Sequence, residues 1–406
     1  MRILHTADWH LGKRLESFSR LEEQKAVLQE ICEIADTEKV DVILIAGDLF
    51  DTYNPATEAV ELFYKTLRRL SKGGFRPVVA IAGNHDSPER IEAPDPLARA
   101  CGIFFAGFPD TQIADCQLET GVSVETKEPG LLEIKLPAFT YPLRLLLTPY
   151  ANEYRLRTCF EEEESEEELR KLLEKQWKLK ADKYCDALGV NILLAHLFFA
   201  EKGKSLQEEP EDEKPILHMG GAQAIFTENI PEQIQYTALG HLHRYQVMGN
   251  LENPVVYSSS PLAYSFSEAN QDKFVVVIDA EPGKPVKRNK IKLEKGRKLL
   301  RKRFEDIPQC VKWLRENQDA LVELTIVTDE FLSGTERKQL YEVHGGIVTI
   351  IPEVKNKEIL HSGSGELDLG QDMEALFKTY FFSRQGQAPN EEILDLFKEI
   401  LSEETE

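Results

Sequence analysis

Five imidazoles, two carboxylates and one amide stand where short apolar runs of this sequence stop: Asp8 and His10 after Arg2 to Ala7, Asp48 after Val40 to Gly47, Asn84 and His85 after Pro77 to Gly83, His196 after Val190 to Ala195, and His241 and His243 after Tyr236 to Gly240. Carboxylate, imidazole and amide donors without a thiol are the ligand set of borderline divalent transition metals. Asp8/His10 and His241/His243 are spaced i, i+2, which puts both side chains on one side of an extended segment and lets each pair pinch an ion. One histidine at a strand end is more often a satisfied structural residue. Five of them, each beside a glycine or another donor, are hard to explain by core packing.

The runs that deliver these residues read as strands. Val40 to Ile45 is short, β-branched and almost wholly apolar, as suits a strand covered on both faces, and Gly47 lets the backbone turn where Asp48 emerges. Between the first two runs Leu21, Gln24, Val27, Leu28, Ile31 and Ala35 recur at helical spacing, and between the next two Val60, Phe63, Leu67 and Leu70 do so. Strand, helix, strand connections build a mostly parallel sheet with ligands gathered outside the strands' carboxyl ends. From Leu97 to Pro149 the runs shorten and alternate, which predicts antiparallel strands such as Leu131 to Leu136 and Leu143 to Leu147. Further strands are expected at Pro254 to Ser260 and Lys273 to Asp279, and an acidic helix start at Glu161 to Glu168.

At 406 residues the chain is long for one core, so two domains and an appendage are expected. The excess of 70 acidic over 49 basic residues, net charge -21, argues against a surface that coats nucleic acid or membrane throughout, so an anionic substrate needs a local exception. One exists: Lys284 to Arg303 holds 11 Lys or Arg and one Glu. Lys287, Arg288, Lys290 and Lys292 are its candidate DNA contacts, the alternative being the solvated face of a hairpin. Downstream, a helix near Pro308 to Glu316, a strand Leu321 to Val327, a helix near Thr335 to Val343 and a strand Ile347 to Pro352 suit a small α+β domain. Amphipathic segments at 371–384 and 391–401 then form a helical hairpin. Six scattered cysteines without a Cys-x-x-Cys pair read as reduced thiols, and no run reaches the ~20 apolar residues of a membrane span, so a soluble, cytoplasmic chain is expected.

Taken together, Asp8-Trp9-His10, Gly47-Asp48, Gly83-Asn84-His85-Asp86, the lone His196 and Gly240-His241-Leu242-His243 resemble the calcineurin-like metallophosphoesterase superfamily. The fuller spellings Thr6 to Gly12, Ala46 to Asp51, Gly83 to Ser87 and Tyr257 to Phe266 are similar, within it, to nuclease subunits that bacteria pair with a coiled-coil ABC ATPase in DNA repair. The resemblance implies an α/β fold: a helix-flanked β-sandwich over residues 1–280, a small α+β capping, DNA-binding domain over 281–353, and a C-terminal hairpin over 366–406 that grips the ATPase. It implies two Mn²⁺ per chain, one held by Asp8, His10 and His243, the other by Asn84, His196 and His241, with Asp48 bridging. His85 would be the catalytic residue at the scissile phosphate, its ring oriented by Asp86 or another carboxylate. The implied activity is a double-strand exonuclease and a single-strand or hairpin endonuclease in double-strand break repair, recombination and hairpin processing, as a homodimer within a heterotetramer. A phosphoesterase for small diesters or phosphoproteins is the rival reading, because the same metal set serves them all.

Archaeal and eukaryotic relatives in this superfamily carry a histidine where this chain has Asp51, so Asp51 is either structural or substrate-positioning. His5, inside the first strand, reads as a core residue or one behind the ligands. His218, His344 and His361 have no motif around them and are expected on the surface.

Overall fold

The computed structural model of the protein describes residues 1–156, 165–204, 224–328, 332–354, 373–385, 389, 393–394 and 397. They fall into two compact units, Met1–Arg301 with Asp319–Glu323, and Lys302–Gln318 with the chain from Leu324 onward.

In the first unit the apolar runs become strands, because segments buried on both faces can satisfy their backbone only through a neighbour's ladder. β1 (Arg2–Thr6), β2 (Val42–Ala46), β3 (Val78–Ile81) and β4 (Ile103–Ala106) lie side by side and parallel. Between them run α1 (Leu21–Thr37) and α2 (Thr57–Ser71). A second sheet then takes β5 (Cys116–Gln117), β6 (Ser123–Glu128), β7 (Leu131–Lys135), β8 (Leu143–Thr148), β9 (Val190–His196), β10 (Tyr236–Gly240), β11 (Gln246–Gly249) and β12 (Pro254–Tyr257), with α3 (Ser165–Tyr184) inserted before β9. Its spatial order is β11-β12-β10-β9-β8-β7-β6-β5. The chain returns to the first sheet with β13 (Phe274–Asp279) and β14 (Lys287–Lys292), giving β14-β13-β1-β2-β3-β4.

The sheets face each other across one core. Ile3, Val42, Leu44, Val79 and Ile81 of the first meet Leu145, Leu147, Ile192, Leu194 and Ala238 of the second. Outside the first sheet, Val27, Leu28 and Ile31 of α1 and Phe63, Leu67 and Leu70 of α2 cover Leu4, Ile43 and Ile45; outside the second, Leu169, Leu173 and Trp177 of α3 cover Leu193 and Leu239. The result is the β-sandwich flanked by helices. Registers Ile3↔Val42, Ala46↔Ile81 and His196↔Gly240 bring the carboxyl ends of β1, β2 and β3, and those of β9 and β10, into line.

Two expectations need correction. Leu143 to Leu147 is not purely antiparallel: β8 pairs antiparallel with β7 but parallel with β9, making the second sheet mixed. Ser258 to Ser260 do not extend β12, because their hydroxyls bond nearby carbonyls instead of a ladder. Within the basic run, Lys287–Lys292 forms β14 and pairs with β13, and the first compact unit continues to Arg301.

Beyond β14 the chain forms β15 (Leu299–Phe304), α4 (Ile307–Glu316), β16 (Leu321–Thr328), α5 (Gly334–Val343) and β17 (Ile347–Val354), a three-stranded sheet ordered β15-β16-β17. Asp306 caps α4 through Gln309 N at 2.8 Å, and Ser333 with Glu336 forms a capping box on α5. His344, expected on the surface, is buried: its ring meets the Asn317 carbonyl at 2.9 Å and accepts from Gly346 N at 3.0 Å. α6 (Met373–Gln385) presents Met373 and Tyr380 to solvent and stacks Phe377 on Phe397, centroids 3.9 Å apart. His218, His361, residues 161–164 of the acidic run and most of the second tail segment, 391–401, lie outside the described residues. Among the described residues no helix is long and apolar enough to cross a membrane.

Leu194 sits fully buried between the sheets, so Leu194→Ala should lower stability by about 2–5 kcal/mol. Guanidinium unfolding followed by tryptophan fluorescence, with Trp9 and Trp177 both in this unit, measures the loss.

Candidate metal centre

At the aligned strand ends the backbone departs from ordinary conformations. Asp8 (φ 54°), His10 (φ 43°), Asp48 (φ 46°) and His241 (φ 104°) all take left-handed values, which cost non-glycine residues on the order of 1–3 kcal/mol each and persist only where surroundings enforce them. Here the loops enforce one another: Asp8 N bonds Gly47 O at 3.0 Å, His10 N bonds Asp48 O at 2.9 Å, and His241 N bonds Asp8 Oδ1 at 2.8 Å. Gly47 is required twice over, by its φ of 84° and because a Cβ would overlap the His196 ring. A Cβ at Gly240 would strike the Ala46 carbonyl, so this residue is what lets the two sheets close at the centre.

The eight sequence-predicted residues converge, and all are buried. The first sheet contributes Asp8, His10, Asp48, Asn84 and His85, and the second His196, His241 and His243. Asp48 Oδ2 lies 3.7 Å from His10 Nε2 and 3.2 Å from His196 Nε2, between two groups of donors. On one side His10 Nε2 and His243 Nε2 stand 3.0 Å apart. That is the separation of two nitrogens each about 2.1 Å from one ion and at right angles to each other. On the other side His196 Nε2 is 2.9 Å from Asn84 Oδ1, and donor atoms of Asp48, His196 and His241 lie within 4.8 Å of one another.

Hydrogen bonding fixes which ring nitrogens point inward. His196 Nδ1 donates to the Ala46 carbonyl at 2.8 Å, and His243 Nδ1 to Glu268 Oε1 at 3.2 Å, so the neutral rings turn bare Nε2 lone pairs toward the oxygens of the centre. Asp8 Oδ2 and Asp48 Oδ2 are buried and accept no well-directed hydrogen bond. Lone pairs facing lone pairs require a cation, and the residues therefore fit divalent metal. Without one, protons must serve: burial pushes the Asp8 carboxyl up to about 7, and the Asp48 carboxylate outweighs burial at His196, raising that ring to about 9. The imidazoles likewise overcome burial at Asp48 and hold its carboxyl below the ordinary range.

His85 lies beside this set. Its N–H bonds Asp48 Oδ1 at 2.9 Å, and its Nδ1 meets the main-chain carbonyl of Asp51 at 2.8 Å. Asp86 does not orient that ring, whose Nδ1 is bonded to a main-chain carbonyl. The Asp86 side chain turns back to accept the N–H groups of Gly83, Leu49 and Phe50 at 2.8, 3.0 and 2.9 Å, tying the loops after β2 and β3 together. The Asp51 carboxylate faces His10 Nδ1 at 3.8 Å and Lys13 Nζ at 3.3 Å. His10, Asp51 and His85 form a second group whose donor atoms lie within 4.8 Å of one another. His5 is a core residue, bonded to Tyr236 OH and Leu239 O, and burial lowers its ring to about 3.

The candidate DNA contacts occupy the outer edge of the first sheet. Lys290 Nζ sits over the rings of Tyr245 and Phe274, and Lys292 Nζ pairs with Asp272 at 2.8 Å. Lysines also protect an open sheet edge from pairing with another chain, so their position alone fits either task.

Several supporting residues escape the motif reading. Glu268, fully buried, holds His243; Lys273 and His243 outweigh burial and lower its carboxyl to about 2. Lys273 also bonds the His243 carbonyl at 2.7 Å and Ser260 Oγ at 2.9 Å. Gln24 on α1 donates to the His10 carbonyl at 2.7 Å, and buried Arg155 grips the carbonyls of Gly83 and Asp86 at 2.9 and 2.7 Å. The serine-rich turn Tyr257 to Phe266 was the available signal for Glu268 and Lys273. Gln24 showed as a polar residue on the apolar face of the first helix, and Arg155 had no signal.

The profile of the calcineurin-like phosphoesterase family matches residues 1–245. The chain is 36% identical to the D subunit of nuclease SbcCD from Bacillus subtilis (strain 168), across 99% of this chain and 98% of that one. It is 33% identical to the protein of the same name from Rhodobacter capsulatus, across 70% and 67%. Among solved structures, a dimetal phosphatase from Danio rerio covers 72% of this chain and 99% of its own at 12% identity and a TM-score of 0.38. The matched profile and the full-length likeness give one conclusion: the chain belongs to the calcineurin-like phosphoesterase family, and within it to the family of the SbcCD D subunits.

Proposed function

We propose that the chain is a divalent-metal-dependent DNA nuclease, the D-type component of an SbcCD-type complex, acting from duplex ends as an exonuclease and on single strands or hairpins as an endonuclease. The observation that carries the metal chemistry is Asp48: one carboxylate oxygen, buried and without a well-directed hydrogen bond, stands between His10 Nε2 and His196 Nε2. Full-length likeness to proteins named as nuclease subunits supports the substrate class.

In this reading Asp8, His10 and His243 hold one ion, Asn84, His196 and His241 the other, and Asp48 both. Manganese is the metal we assign, and the Asp/His/Asn set would also take Fe, Zn or Co. Bound ions supply Lewis acidity at the phosphodiester and an acidified water. The chain supplies the rest. Ala46 and Glu268 fix the tautomers of His196 and His243. The Asp51 carbonyl fixes one proton of His85 on Nδ1, so that Nε2, when the ring is protonated, would donate to the scissile phosphate and give its proton to the leaving oxygen. Lys287, Arg288, Lys290 and Lys292 track the DNA backbone, with residues 281–353 as the capping domain. The tail over 366–406 binds the coiled coil of an SbcC-type ATPase, with the chain a homodimer within a heterotetramer in the cytoplasm.

Asp48→Asn should reduce occupancy of both metal sites and abolish hydrolysis while the fold persists; two ions per chain with activity intact would overturn the assignment, and elemental analysis of the purified variant decides. His85→Ala should retain both ions and lose catalysis by on the order of 10² or more, read as kcat on an oligonucleotide at saturating manganese. A near-parental rate would make His85 only a neighbour of a donor. Replacing Lys287, Arg288, Lys290 and Lys292 by Ser should flatten log affinity against log salt by about 0.9 per lost phosphate contact. An unchanged slope in a salt titration would place DNA on another face.

A further inference from the structure

The donors of the centre are closed to solvent, and among the described residues accessibility rises along one loop. His85 is 4% exposed; the Asp51 side chain that neighbours it is 24% exposed, and Tyr53 reaches 46%. The loop is tethered at both ends of this stretch. Asp51 N bonds Leu11 O at 3.3 Å and its carbonyl meets His85 Nδ1, while Asn54 Oδ1 accepts from Arg90 Nη2 at 2.8 Å. The ring of Tyr53 is thus presented from a held backbone, two residues beyond the carbonyl that orients His85.

The neighbours define what the ring would meet. Lys13 sits at the Asp51 carboxylate and exposed Arg90 is bonded to the neutral Asn54, so cationic side chains are held at the residues two before and one after Tyr53. Tyr150 is anchored by its N–H on the Ala82 carbonyl at 2.9 Å, with Arg155 over its ring. Burial chiefly raises its phenol, and Tyr53 and Asp48 act in the same direction. A partly exposed aromatic ring beside cations, next to a buried phosphodiester site, matches the pairing of base stacking with backbone neutralisation used on single strands. A base paired inside a duplex would offer that ring only its edge.

We infer that Tyr53 stacks on an unpaired nucleobase adjoining the scissile phosphate and so favours single-stranded substrate. The inference rests on the nuclease reading and adds to it a positioning residue that no donor motif contains. Its test is binding of a single-stranded oligonucleotide carrying 2-aminopurine and non-hydrolysable phosphorothioate linkages to the full chain loaded with manganese, so that cleavage does not intervene. The native chain and Tyr53→Phe should quench the fluorophore and bind alike; Tyr53→Ala should lose the quenching and bind about 5-fold or more weakly, the lower end of what one stacked base contributes. An abasic strand should not distinguish native from Tyr53→Ala. Quenching undiminished in Tyr53→Ala, or lost equally in Tyr53→Phe, would overturn the stacking role while leaving the nuclease reading in place. A native chain that binds no strand at all would bring down both.

Discussion

Asp8, Asp48 and Asp86 are fully buried at the strand ends, and burying a carboxylate without a counter-charge is among the most expensive things a protein can do. The nearby cationic side chains do not neutralise them. Arg155 faces main-chain carbonyls, and Lys273 is committed to Glu268. Asp86 is satisfied by three backbone N–H groups, and burial followed by the Asp48 charge raises its carboxyl. Asp8 and Asp48 each accept one backbone N–H at Oδ1, and their other oxygens face imidazoles. The sandwich therefore assembles a concentration of negative charge and lone pairs that positive charge must complete, and the rest of the structure serves to hold that arrangement still.

The holding is done in layers. Left-handed backbone at four positions aims the side chains, and mutual backbone bonds between the loops after β1 and β2 lock that strain in place. Behind them Glu268, Gln24 and Arg155 fix rings and carbonyls that a looser shell would let rotate. Glu268 depends in turn on Lys273, a buried pair whose geometry reaches His243 through both its Nδ1 and its carbonyl. Removing either partner of such a pair leaves an uncompensated charge inside the protein, so its role in positioning cannot be separated from its role in stability.

Much of the fold and most of the donor set were legible because both rest on local signals. A buried strand shows as an apolar run, and a strand-end ligand shows as a polar residue beside a glycine. What sequence spacing does not carry is direction. Asp86 adjoins His85 in the chain, yet its carboxylate turns the other way, toward the N–H groups of Leu49 and Phe50. Glu268 and Lys273 lie some 25 to 30 residues from His243, with no periodicity linking them. His344 looked like a surface residue because it has no motif, but its ring satisfies two main-chain groups that would otherwise be buried alone. The basic strand's place at a sheet edge was likewise hidden, since pairing partners are chosen by the tertiary fold.

The bond between His196 and Ala46 has a mechanical meaning. His196, at the end of the second sheet, donates across the sandwich to the Ala46 carbonyl of the first, and its other nitrogen faces Asn84 and Asp48 of that same first sheet. The donors are thus shared between two sheets that the core and a few hydrogen bonds of this kind hold in alignment. A slip of one sheet by a single residue, about 3.3 Å, exceeds the whole length of a metal–ligand bond. Alignment at the centre consequently works as a vernier for the sandwich: a displacement too small to disturb either sheet's own ladder is already large enough to uncouple the chemistry, and the first thing a loosened molecule would give up is function rather than form.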